Sequence, residues 1–520
     1  MTRLISRKGY SVKTDQRRRV LLISADGMRP DLFDPALMPV CGELVARGTR
    51  LIDYHASYPT HSRVNITTIS TGCLPGKHGF AANIFRVDGA TEDGVIDTGD
   101  FGHISQLDQY TGGNAIQVPT LPELLARSGL KAQVVATSSD AAGLIWNRFH
   151  PDQVFDLNEA VDRPAIRAVR EKLGPVPSES MPNRIPHIEY TARALSEHYL
   201  DDDEVDFFAV WLSEPDHTLH HFGVGSPEVR EALKAVDRSV AEILDGLDRR
   251  GIRDQFDIFL ISDHGHSTVE RHRTLGEFIE PMIADRFPRL RGLATASDFI
   301  YSAPGQLAPT VEELAPFVSW LQDQSWCGAV FGGSSAISTL PGVLPLSAIW
   351  GDHESDRAPL LAVTPTWSHS SNQFGKPGTI AALTEQVALR ATHGSASPYE
   401  LHAFATLSGT SFQPGVRSLS PAGAQDLAPT ICQLLGVPVP QWMDGRVLTE
   451  AFAGSRTALP SGGVEVLAPD QSKSSDYRPA LIMRTSGNSR YLHSAVNAQS
   501  SVAISDSAKS SVRRVKQKAG

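Results

Sequence analysis

The chain has 520 residues, 41% of them hydrophobic and 20% charged, with a formal net charge of −10. That length and apolar content support a large core carrying an insertion, or two domains. The acidic balance leaves no electrostatic footprint for a nucleic-acid polymer, although a small phosphate ligand stays compatible because local cations outweigh global charge.

Taken in chain order, Met1 to Arg19 is basic and lacks an apolar stretch of signal-peptide type before the first strand. No run approaches the roughly 20 apolar residues of a membrane-spanning helix, so the expectation is a cytoplasmic protein without a membrane partner. Val20-Leu-Leu-Ile-Ser-Ala25 is apolar without alternation, as a buried parallel strand requires. It runs directly into Asp26-Gly27-Met28-Arg29, and ligands of open α/β sheets gather at such carboxyl ends. Ala36 to Gly48 reads as a helix and Arg50 to Asp53 as a short strand. The stretch from His55 to Gly72 reads as a loop entering a helix, with Ser62 at the helix start, where free N–H groups favour an anion.

Phe80 to Gly113, rich in Gly, Asp and Thr, reads as a long loop on the same edge. Thr120 to Gly129 is a helix, Lys131 to Thr137 a strand, Ile188 to Leu200 a helix and Val205 to Ser213 a buried strand. Ser226-Pro227-Glu228 opens a further helix that Gly251 closes, and Phe256 to Ser262 is another buried strand. Alternating strands and helices predict a mostly parallel central sheet with helices on both faces. The four cysteines, Cys41, Cys73, Cys327 and Cys432, form no CxxC pair and read as small buried hydrophobes.

The strands end in metal-ligand chemistry. Glu214-Pro-Asp216-His217-Thr-Leu-His220-His221 follows one, Asp263-His264-Gly-His266 follows another, and His393-Gly394 stands in a later loop. A mixture of imidazole and carboxylate suits zinc, whereas calcium or magnesium prefers oxygen alone. The remaining histidines, His61, His78, His217, His221 and His266, are expected to take outer or purely structural roles.

In this order, Asp26, a nucleophile, Asp-x-x-x-His, Asp-His-Gly and His-Gly resemble the alkaline phosphatase superfamily, and within it the nucleotide pyrophosphatase/phosphodiesterase branch. The resemblance spans about Val20 to Leu448 and includes Asp426 to Pro440 with Met443-Asp444-Gly445 after it. It implies an alkaline phosphatase-like α/β fold and a two-zinc site, with other divalent transition metals suited to the same donors. Asp216, His220 and His393 resemble the ligands of one ion. Asp26, Asp263 and His264, joined by the Ser62 oxygen, resemble those of the second.

The branch's nucleophile stands three residues before an Asn and nine before the Thr of a Thr-Gly pair. Both counts, from Asn65 and from Thr71-Gly72, reach Ser62, and Thr60 fails both. Asn65 is then expected to donate to a phosphoryl oxygen and Arg63 to complete the charge stabilisation. The chain departs from the pattern in having Ser for Thr as nucleophile, Leu219 for Gly before His220, and Arg63.

The implied function is a phosphodiesterase or nucleotide pyrophosphatase working through a phosphoseryl intermediate on a small phosphate ester or phosphonate. A phosphomonoesterase or phosphonoacetate hydrolase-like enzyme is the alternative, because Arg63 would suit a dianionic group. A sulfatase is remote, since Val64 and Ile66 occupy the places of its Pro and Arg, and so is a non-catalytic metal-binding protein. The expected domains are an extension at 1–19, a catalytic domain at 20–453 with an inserted cap at about 270–385, and an extension at 454–520. Within the last, Pro479 to Met483 and Tyr491-Leu492 read as a hairpin and Ser505 to Gly520 as a disordered tail. Oligomeric state is not legible.

Overall fold

A computed structural model describes residues 17–137, 141–157, 164–178, 183–302, 305–353, 355–381, 389–455, 462–469, 477–497 and 512–514. The first apolar run forms strand β1 (Arg19–Ala25), buried at every position. Its side chains alternate between two cores. Val20 and Leu22 enter one cluster, while Leu21, Ile23 and Ala25 enter the other. Both faces of the strand are therefore covered, which is why the sequence shows no polar alternation. Burying each large aliphatic side chain contributes about 1.5–3 kcal/mol, and truncation such as Ile23→Ala costs about 2–5 kcal/mol.

The main sheet adds β2 (Gly48–Leu51), β3 (Lys131–Ala136), β4 (Val154–Asp156), β5 (Val205–Leu212), β6 (Phe256–Ile261), β7 (Ala405–Ser408) and β8 (Val416–Ser418). Its spatial order is β8-β2-β7-β6-β1-β5-β3-β4. β1 lies parallel between β5 and β6, with Ile23 opposite Val210 on one side and Leu260 on the other. β3 and β4 continue the parallel set beyond β5. β7 runs antiparallel to both β6 and β2, so the sheet is mixed but mostly parallel. Because β1, β5 and β6 share a direction, their carboxyl ends open on one edge.

Helices cover both faces: α1 (Pro39–Arg47), α2 (Ser62–Thr71), α3 (Ile185–Glu197), α4 (Asp216–Phe222) and α5 (Pro227–Arg249). In α5, Val229, Leu233, Val236, Val240, Ile243 and Leu247 are buried at three- and four-residue steps, the period of one helical face. Its first turn is closed by Ser226, whose hydroxyl accepts the Val229 N–H at 3.3 Å.

The segment read as a long loop, Phe80 to Gly113, is structured. Ile84–Arg86 pairs antiparallel with Val95–Asp97, and a helix follows at Phe101–Tyr110, capped by Asp100 accepting from the His103 N–H at 2.9 Å. Turn residues Thr91 to Gly94 close the hairpin, and their polarity masked the two short strands from a hydrophobic-pattern reading.

Between β6 and β7 lies a unit with its own core. Helices Leu275–Arg286 and Val311–Gln322 pack on a five-stranded sheet spanning 294–365 through Leu275, Ile279, Ile283, Leu314, Phe317 and Leu321. Thr310 and Glu313 form a reciprocal capping box at the second helix. This unit rests on the loop before α2, where the Trp350 indole N–H donates to the Tyr58 carbonyl at 3.0 Å. It also reaches the segment after α2, as Arg357 donates to the Ala115 carbonyl at 2.6 Å.

Gly462–Ala468, Pro479–Ser486, Ser489–Asn497 and Val512–Arg514 form a separate four-stranded sheet. The expected hairpin is its Pro479–Ser486/Ser489–Asn497 pair. Of the expected Ser505–Gly520 tail, only Val512–Arg514 lies within the described residues. All four cysteines are buried. Among the described residues no helix is long and apolar enough to cross a membrane.

Candidate active site and metal centre

Three adjacent strand ends and one loop deliver the candidate ligands. β1 ends at Ala25 and presents Asp26, β5 leads through Ser213 to Asp216 at the start of α4, and β6 leads to Asp263, His264 and His266. His393 follows the short strand Ala391–Thr392. Main-chain bonds hold the edge together: Asp26 N–H donates to the Leu212 carbonyl at 2.9 Å, and Asp216 N–H donates to the Asp26 carbonyl at 3.0 Å. Gly27 adopts a positive φ of 70°, and a Cβ there would lie 2.6 Å from His266 Cε1 and 3.1 Å from Asp216 Cβ. Only glycine meets both the conformation and the space.

One cradle centres on His264 Nε2. It lies 3.4 Å from Asp26 Oδ1, 3.3 Å from Asp263 Oδ2 and 3.0 Å from Ser62 Oγ. The other oxygens of the two carboxylates are engaged. Trp211 donates its indole N–H to Asp26 Oδ2 at 2.9 Å, and the Gly27 N–H donates to Asp263 Oδ1 at 3.1 Å. Asp26 Oδ1 and Asp263 Oδ2 are buried with no hydrogen-bond partner among the described residues. Burial, reinforced by Asp263 and Asp216, pushes Asp26 well above the usual carboxylate range, and burial pushes Asp263 up to about 7.

The second cradle centres on Asp216 Oδ1. His266 Nε2 lies 3.0 Å from it, His220 Nε2 3.4 Å and His393 Nε2 3.5 Å. Asp216 also comes together with Asp26 and His264, so the two cradles adjoin.

All four histidines are oriented alike. The Nδ1 atoms of His220, His264, His266 and His393 face the carbonyls of Ala391, Gly265, Gly27 and Thr60 at 2.8, 3.0, 3.3 and 2.8 Å. A carbonyl only accepts, so each Nδ1 carries the proton and each Nε2 turns a lone pair inward. Burial keeps His264, His266 and His393 below the usual histidine range, His264 at about 3, which also favours the neutral ring. Inward lone pairs and orphaned carboxylate oxygens form a negative pocket that costs free energy unless a cation fills it. The donors therefore fit divalent metal ions.

Ser62 opens α2, with His61 as N-cap. Thr60 is fully buried and serves a different purpose: its hydroxyl donates to Glu400 Oε2 at 3.0 Å and accepts the Gly394 N–H at 2.7 Å.

Asn65 and Arg63 stand differently from the sequence expectation. The Asn65 carbonyl oxygen accepts from the Ser57 N–H at 2.8 Å, and its amide donates to the His61 carbonyl at 3.1 Å. These bonds brace the loop before α2 and commit both ends of a fully buried amide. The Arg63 guanidinium donates to Thr98 Oγ1 at 2.8 Å and pairs with Asp97 at 3.2 Å, so its charge is turned to the hairpin rather than to Ser62.

Two residues outside the sequence expectation stand at the site. His266, expected in an outer role, belongs to the Asp216 cluster. Asn83 accepts the Arg63 N–H on Oδ1 at 3.2 Å and donates its own N–H to His61 Nδ1 at 3.1 Å, so it flanks the first turn of α2. The Asp-His-Gly-His spacing carried a signal for His266; Asn83 had none, because no local motif surrounds it. His78 bonds Thr68 Oγ1 and the Phe80 N–H, a structural role. His217 and His221 pack edge to face with centroids 4.7 Å apart, outside both cradles.

Residues 20–319 match the family model described as type I phosphodiesterase / nucleotide pyrophosphatase, and the chain belongs to that family. The venom phosphodiesterase CdcPDE of Crotalus durissus collilineatus is 25% identical over 292 residues, covering 54% of this chain and 31% of that protein. The chain thus spans about a third of that curated relative's length. Wild-type alkaline phosphatase PafA shares the fold with a TM-score of 0.67 at 17% identity, over 85% of this chain and 100% of that one. Murine ectonucleotide pyrophosphatase / phosphodiesterase 5 does so with a TM-score of 0.58 at 16% identity, over 84% and 100%.

Proposed function

We propose that the chain hydrolyses phosphodiesters by transferring a phosphoryl group to Ser62 and then to water. The observation that carries this reading is the position of Ser62 Oγ at the start of α2, 3.0 Å from His264 Nε2 and beside the orphaned oxygens of Asp26 and Asp263. A serine hydroxyl is a weak nucleophile at neutral pH unless its proton is drawn off. Two zinc ions held by Asp26, Asp263 and His264, and by Asp216, His220 and His393, would supply charge stabilisation and lower the pKa of coordinated hydroxyls.

The chain's own residues do the rest. Helix α2 brings the positive end of its dipole to Ser62, its first residue, and favours the anionic phosphoryl group there. Ser62 Oγ gives up its proton to solvent and attacks phosphorus; its bond to phosphorus forms as the ester bond opposite breaks, and the departing alkoxide takes up a proton to leave as the alcohol. Water then cleaves the bond between Ser62 Oγ and phosphorus, releasing the phosphate monoester that keeps the second ester group and returning the hydroxyl. Asn83, whose Oδ1 accepts the Arg63 N–H in the first turn of α2, is the side chain this reading gives to a phosphoryl oxygen. Asn65 acts by bracing the loop.

The alternative, a phosphomonoesterase or phosphonate hydrolase, needs a cation free to meet a second negative charge. Arg63 is the candidate, and its engagement by Asp97 and Thr98 favours the diester reading. The test is a substrate panel on zinc-loaded protein: bis-p-nitrophenyl phosphate, p-nitrophenyl phosphate and phosphonoacetate. The diester should show the highest kcat/KM and chelation should abolish it; a tenfold preference for the monoester or the phosphonate would establish the alternative.

A further inference from the structure

We propose that His266 is a fourth protein ligand of the ion held by Asp216, His220 and His393, which makes this a carboxylate–trihistidine site. The inference rests on the two-ion reading above and concerns which side chains hold one of those ions.

The first ground is the tautomer. His266 Nδ1 faces the Gly27 carbonyl at 3.3 Å, the arrangement that its three neighbours make with their own carbonyls. The proton sits on Nδ1, so Nε2 presents a lone pair to the cluster.

The second ground is what that lone pair meets. His266 Nε2 lies 3.0 Å from Asp216 Oδ1, yet both atoms are buried without a hydrogen-bond partner among the described residues. An acceptor nitrogen and an acceptor oxygen at that separation repel, and burying both unpaired is destabilising. A cation between them removes the conflict. Asp216, His220, His266 and His393 bring one ligand atom each within 4.8 Å of one another, close enough to surround a single ion.

The third ground is rigidity. The His266 ring is fully buried and sits against Gly27, where a Cβ would come within 2.6 Å of its Cε1. His220 and His393 rings stand 4.9 and 5.1 Å away, centroid to centroid. Full burial and these neighbours hold the ring in the cluster before an ion arrives.

A zinc site that takes a reacting oxygen normally keeps one position open beside three protein ligands. Four protein ligands would leave no such position at this cradle, and Asp216, His220, His266 and His393 would hold their ion more tightly than Asp26, Asp263 and His264 hold the other.

The direct test is anomalous diffraction from crystals of the full chain grown with zinc. The proposal predicts an ion within about 2.0–2.2 Å of His266 Nε2 as well as of Asp216, His220 and His393. An ion bound by the other three with His266 Nε2 beyond about 3 Å would overturn it and leave the proposed hydrolase untouched; no ion at either cradle would overturn both. In solution, His266→Ala should weaken one of two zinc ions more than a hundredfold against a competing chelator, beyond the roughly 10–100-fold loss of an outer partner. A loss of a hundredfold or less in a variant of wild-type circular dichroism contradicts the proposal.

Discussion

The main-chain carbonyl of Thr60 accepts the Nδ1–H of His393 at 2.8 Å, while the Thr60 hydroxyl accepts the Gly394 N–H at 2.7 Å. One loop residue two positions before Ser62 thus fixes the loop that carries a candidate ligand from the far end of the chain. Glu400 completes the link. It is fully buried, it accepts from Thr60 and from the Ser395 N–H and hydroxyl, and burial raises its pKa.

Thr60→Ala keeps the carbonyl but strips the Gly394 N–H and Glu400 of a partner. Buried groups left in that state cost about 1–3 kcal/mol, more than the loss of a simple loop bond. The expected outcome is a Tm drop of several degrees and a lower zinc affinity, with Thr60→Ser restoring most of both. Thermal unfolding and a zinc titration of the two variants check it; an Ala variant as stable and as zinc-avid as wild type contradicts the brace.

Arg63→Ala removes a partly exposed ion pair with Asp97, worth about 0.2–1 kcal/mol. If the guanidinium belongs to the hairpin, rates on diester and monoester should fall together and their kcat/KM ratio should change less than about threefold. Selective loss of monoester activity would return Arg63 to the phosphate.

Away from the site, His55 Nε2 and His493 Nδ1 lie 3.2 Å apart where the C-terminal sheet meets the strand Tyr54–His55. Burial pushes His493 down to about 4 and His55 well below the usual range. A depressed folded-state pKa means that the unfolded chain takes up protons first, near 6.5. The stability these neutral rings contribute is therefore present above about pH 6.5 and is lost as pH falls toward 4. His493→Gln should be less stable than wild type at pH 7, with the gap narrowing between pH 6.5 and 4. Parallel Tm-against-pH curves would show that His493 carries no such linkage.

The fold and the candidate ligands were legible to different depths. β1, β5 and β6 announce themselves because both faces are buried, and each runs straight into its acidic or histidine motif, so Asp26, Asp216 and Asp263 come from contiguous signals. The hairpin and helix within Phe80 to Gly113 were hidden because polar turn residues dominate their composition. Asn65 illustrates the limit of counting: its place in the sequence matches a donor, but the turn of α2 directs it at Ser57 and His61. Asn83 reaches the same helix from a separate loop, a contact only the tertiary fold creates. Thr60 belongs to that class too, because its partners at 393–400 are remote in sequence.

The measurement that bears most directly on the central claim is rapid acid quench of zinc-loaded protein turning over bis-p-nitrophenyl phosphate, followed by peptide mass spectrometry. The account predicts a phosphoester derivative on Ser62, absent from Ser62→Ala, which should retain its zinc and lose at least several hundredfold in kcat because the attacking oxygen is gone. Phosphate recovered on Thr60, or a Ser62→Ala variant that turns over within tenfold of wild type, would contradict it.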